Sequence, residues 1–162
     1  MSSDPDPVVV VVDQQDFVAV QTERWSGLAA DVLIAEGVRG PAEMSLRFVD
    51  LAEIARLNSE YLEGNGEPTD VLSFPIDGAD DPVERLRLVG DVVICPEVAA
   101  GNARENSGTR VGHDGTYEHE MALLVVHGVL HLLGMDHGET DEAIAMKSSE
   151  QRHLNAFWGG AG

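Results

Sequence analysis

From Met121 to Met135 the chain is almost continuously apolar, yet His127 and His131 stand inside that run. A segment this apolar has to be buried, and buried imidazoles must find partners. The run is shorter than the roughly 18 residues a membrane span requires. It therefore reads as a central helix of a globular core, with no membrane involved. The helix is expected from Tyr117 to Leu133. Gly134 ends it, because a residue without Cβ can turn left-handed out of the last helical turn.

The 162 residues, 43% of them hydrophobic, suit one domain, 1–162, with both ends (about 1–7 and 159–162) expected to fray. Ten basic against 29 acidic residues give a net charge of −19. That balance excludes a surface that coats itself broadly with nucleic acid or anionic lipid, but permits a focused site where a bound cation sets the local field. A single cysteine, Cys95, and an N-terminal stretch without basic residues point to a cytoplasmic protein.

Apolar periodicity and breakers place the other elements. Val8–Val12, Met44–Val49, Val71–Phe74 and Leu86–Ile94 read as strands. Helices are expected from Trp25 to Glu36, from an Asp50 cap with Glu53 as its capping-box partner through Tyr61, from Pro96 towards Glu105, and from Thr140 through Leu154. Strands interleaved with helices make the fold α/β or α+β, a small β-sheet packed by helices; strand order is not legible.

The chemistry lies in His127-Gly128-Val129-Leu130-His131-Leu132-Leu133-Gly134-Met135-Asp136-His137. Histidines four apart share one helix face, one turn apart, and the turn at Gly134 can bring His137 back towards them. H-x3-H-x2-G-x2-H is the spacing of metzincin zinc sites, so a zincin-like metal cleft is expected. Three imidazoles would hold one zinc ion and leave a fourth position for water or substrate. All-nitrogen ligation favours zinc over magnesium. The glutamate that follows the first histidine in H-E-x-x-H peptidases, their general base, is here Gly128, which argues against a metallopeptidase. Glu120, seven residues before His127, is on the same face and reads equally as ligand-orienting group, general base or solvated surface. Asp136 can orient an imidazole or cap the turn.

These residues resemble the YbeY endoribonucleases, bacterial rRNA maturation factors that carry an HGxLHLxGxDH zinc motif. Leu57-Asn58 with Tyr61, the run Pro68-Thr69-Asp70-Val71-Leu72-Ser73-Phe74-Pro75, and Gly90-Asp91-Val92-Val93-Ile94 are similar to the family's central segment and next strand. Glu142, Met146 and Glu150 also recur at positions where the family has such residues. The resemblance implies a small mixed β-sheet packed by helices, with His127, His131 and His137 as metal ligands. It implies cleavage of single-stranded RNA in rRNA processing and ribosome quality control, with the ribosomal small subunit and a ribosome-associated GTPase as partners. Where the family commonly has Arg after the tyrosine, this chain has Leu62, and Arg56, Arg85 or Arg87 would have to supply that cation.

On this basis Glu120, Asp70 and Ser73 are candidate catalytic residues, and Arg85, Arg87 and Phe74 candidate substrate contacts, Phe74 by stacking on a base. The plainer readings are a turn-forming Asp70, a strand Ser73, a core Phe74 and solvated arginines. Two other functions compete with the nuclease. One is a metallopeptidase; the other is a ribosome-associated binding factor whose zinc is mainly structural.

Overall fold

Five consecutive β-branched residues start the first strand, β1 (Val8–Gln14), at the sheet edge. Val9 and Val11 pack into the core, while Val8, Val10 and Val12 stay exposed. The structure, a computed structural model, describes residues 5–61, 69–77, 86–135 and 138–159. The remaining elements are α1 (Thr22–Ala35), β2 (Ala42–Val49), α2 (Leu51–Tyr61), β3 (Val71–Pro75), β4 (Arg87–Ile94), α3 (Pro96–Asn102), α4 (Tyr117–Leu132) and α5 (Thr140–Gly159).

The sheet order is β1-β2-β4-β3, with β1, β2 and β4 parallel and β3 antiparallel to β4. The expected small mixed sheet packed by helices is therefore what the chain forms. β4 is covered on both faces, which is why its sequence is nearly continuously apolar rather than alternating. Met44, Leu46, Phe48, Val92 and Ile94 face α1 and α4 in the main core. On the opposite face Val93, Leu72 and Cys95 meet Ile54 and Leu57 of α2 in a smaller cluster.

Several boundaries move. α1 starts three residues before Trp25, and β3 includes Pro75, which an edge strand tolerates. α3 stops at Asn102 rather than approaching Glu105, and turns replace it up to Gly115. Asp50 does cap α2, its carboxylate accepting from the Glu53 amide at 2.9 Å. The Glu53 side chain does not return the bond; it pairs with Arg56, so only half of the expected capping box is made.

α4 lies across β3 and β4 on the main-core side, and at Gly128 it is seated closely on them. A Cβ there would come within 2.6 Å of Val92 Cγ1 and 3.4 Å of Val71 Cγ2. At its far end the chain leaves through Gly134 at φ +96°, with Gly134 N–H donating to the His131 carbonyl and Met135 N–H to that of Leu130. This is the paired-bond helix stop that Gly favours. α5 then runs over α4 as far as Gly159, one residue into the tail expected to fray. It is fixed by buried Met146 and Leu154, by His153 on Glu36 at the C-terminal cap of α1 at 2.6 Å, and by Trp158 stacked on His119 at 4.0 Å.

Candidate metal centre

His127 and His131 project from α4 one turn apart, their ring centroids 4.8 Å from each other and their planes at 74°. The third predicted ligand, His137, lies outside the described residues, as do Asp136, Leu62 and Arg85. Among the described residues, accordingly, no three potential ligands converge.

What surrounds His127 is more informative than the pair alone. Its Nδ1 lies 2.6 Å from Oε2 of Glu150 on α5, and Oε1 of Glu150 accepts from Nε of Arg110 at 2.8 Å. Glu150 is only 1% exposed. Burial by itself would raise its carboxyl, but hydrogen bonds from His127 and Arg110, with the guanidinium charge, hold it below the ordinary glutamate value. An ionised carboxylate only accepts, so Nδ1 of His127 must carry the proton. The lone pair is then on Nε2. A carboxylate on the far nitrogen is the arrangement that orients metal-ligating histidines, and on this ground the residues present fit a zinc ion. Cys95, the single thiol, is buried on the opposite face of the sheet, where burial pushes it up.

Glu120 is fully buried, which removes its reading as solvated surface. Oε1 pairs with Nε2 of His113 at 2.9 Å, and Oε2 accepts from Asn106 Nδ2 at 2.8 Å. His113 Nδ1 accepts from the Gly115 amide at 3.0 Å, so its Nε2 is the donor to Glu120. These bonds fasten the 103–116 turns to α4. Arg110 and a reciprocal pair between Gln151 and the Val111 backbone fasten the same turns to α5. The fastened turns form a wall of a cleft of about 340 Å³ that holds Asp70, Glu120 and His127 together.

The other predicted residues fall elsewhere. Ser73 faces α4, but its hydroxyl donates to the Gly128 carbonyl at 3.0 Å and ties β3 to the helix. Phe74 is on the opposite face, edge-on to Tyr61 with ring centroids 6.0 Å apart, and takes no part in the histidine cleft. Arg56, on that same face, is paired with Glu53 and Glu60. Arg87 begins β4 opposite Ala42 and lines neither cleft at His127. Strand alternation puts Phe74 on the face away from Ser73, and α2 carries Arg56 on that same side of the sheet, so neither lines the histidine cleft. Among the described residues the cations that line it are Arg110 and Lys147, which the sequence reading did not single out. Buried Glu150, on the same helix face as Met146 and Leu154, was the available signal, since a carboxylate among core positions requires a cationic or hydrogen-bonding partner.

A histidine pair presented by a core helix, braced by a buried carboxylate and set beside a cleft, defines a small α/β protein with a candidate hydrolytic centre. The family model described as Endoribonuclease YbeY matches residues 10–158. A protein of that name from Beutenbergia cavernae is 40% identical over 153 residues, covering 92% of this chain and 97% of its own. Another, from Alkalilimnicola ehrlichii, is 46% identical over 134 residues, 81% of this chain and 72% of its own. The solution structure of a Thermotoga maritima protein matches with a TM-score of 0.63 at 25% identity, covering 94% of this chain and 90% of that one. The chain belongs to the YbeY family. No helix among the described residues is long and apolar enough to cross a membrane.

Proposed function

We propose that this chain is a zinc-dependent endoribonuclease that cuts single-stranded RNA, with ribosomal RNA as its setting. Its relatives bear the name endoribonuclease. The observation that carries the metal reading is the Glu150 carboxylate on Nδ1 of His127. His127, His131 and His137 would hold the ion, which when bound supplies Lewis acidity towards a phosphoryl oxygen. Glu150, held by Arg110, keeps His127 in one tautomer and one orientation. Glu120 has both oxygens engaged by His113 and Asn106 and holds the cleft wall. Asp70 makes no side-chain hydrogen bond among the described residues, which makes it the better acceptor for a proton in the cleft. The ribosomal small subunit, a ribosome-associated GTPase and a cytoplasmic location belong to this proposal by resemblance.

A peptidase is disfavoured by the same close approach that requires Gly128, since a glutamate there would meet Val92 before reaching the cleft. The test against a purely structural zinc is parallel measurement of metal content, thermal stability and cleavage of a hairpin RNA with a single-stranded extension, in wild type and His131→Ala. The nuclease reading expects metal and cutting to be lost together. Stoichiometric metal in the variant, or undiminished cutting, contradicts it.

A further inference from the structure

Lys147 is the only lysine of the chain. It lies on α5 three residues before Glu150, is exposed, and lines the clefts beside His127. Two clefts meet there, and both are lined by Arg110, His127 and Lys147. One continues over Ala143, Ile144 and Met146 and is mainly apolar; the other continues over Asp70, Asn106 and Glu120 and is about half polar. The two cations at this waist differ. Arg110 gives Nε to Glu150 and Nη1 to the Thr109 carbonyl, so its charge is compensated by a buried carboxylate. Lys147 makes no hydrogen bond or ion pair among the described residues. A protein of charge −19 that accepts a polyanion needs positive charge where the strand lies, and here that charge is Lys147.

We propose that Lys147 contacts the RNA phosphate held at the waist, and that the apolar cleft beside it seats one adjoining nucleobase. The inference rests on the endoribonuclease reading for its substrate class, but not on the metal. An ammonium on a flexible stem suits a phosphate that must enter and leave, whereas the forked Arg110 is fixed as a brace. Ile144, 61% exposed on the rim, offers an apolar surface for a base.

The test is fluorescence anisotropy of a labelled ten-nucleotide single-stranded RNA, titrated with the metal-loaded full chain in the cold, with probe integrity checked on a gel. Across a salt series, Lys147→Ala is expected to weaken binding about tenfold at low salt and to reduce the slope of log affinity against log salt by about 0.7, one phosphate contact. Lys147→Arg should restore both. Ile144→Ser should weaken binding without changing the slope. Wild-type affinity and slope in Lys147→Ala overturn the proposal, as does absence of RNA binding by the wild type. The endoribonuclease reading fails separately: a wild type that binds RNA through Lys147 but leaves a cleavable RNA intact sinks that reading and keeps this one.

Discussion

Glu150 stands between Arg110 and His127, and every consequence of the site at the residue scale passes through it. Glu150→Gln keeps the shape but not the charge. It should lower zinc affinity about 10- to 100-fold, read by competition with a chelator, and unchanged affinity would show that the carboxylate does not orient the ligand. Glu150→Ala leaves Arg110 without its buried partner and should cost about 3 kcal/mol in urea unfolding. A second residue-scale effect concerns Tyr117, whose hydroxyl is buried without a hydrogen-bond partner among the described residues. Burial pushes it up from 10 to about 12. Below pH 10 the tyrosine is neutral in both states and contributes no pH dependence; as pH rises towards 12 the unfolded chain ionises first and stability falls. Tyr117→Phe should leave stability at pH 7 unchanged or about 1 kcal/mol higher, and should flatten the loss above pH 10. An equal alkaline loss in the variant would contradict the assignment.

At the scale of elements, the position of α4 decides the site. Gly128→Ala puts a methyl against Val92 and should destabilise by about 1–3 kcal/mol, more than a glycine-to-alanine change in an open helix could gain. A stabilised variant would mean that α4 is less closely seated. This element and its histidine pair were legible in the sequence because both signals are local: an apolar run, a four-residue spacing and a glycine stop. The strand segments and the Asp50 cap were legible for the same reason. The turns at 103–116 were not, because they are ordered by partners far along the chain, Arg110 on Glu150 and Asn106 on Glu120. Phe74 and Arg56 suit RNA by residue type, but which face of β3 meets α4, and that α2 packs on the other side of the sheet, is fixed only when the sheet forms.

For the whole molecule, the net charge and Lys147, the one cation lining the cleft without an ion pair among the described residues, together limit how RNA can bind. A site with one or two phosphate contacts should lose only about three- to sevenfold in affinity between 50 and 200 mM salt. A loss of a thousandfold would point to a broad basic surface, which the 29 acidic residues exclude. The central claim is that the α4 histidines form the metal centre of an RNA-cutting enzyme. Its most direct test is zinc content and internal cleavage of an end-labelled RNA, measured side by side for the wild type and His127→Ala. The account predicts one zinc per wild-type chain with chelator-sensitive internal cuts, and loss of both in the variant; cleavage that survives either the chelator or His127→Ala would contradict it.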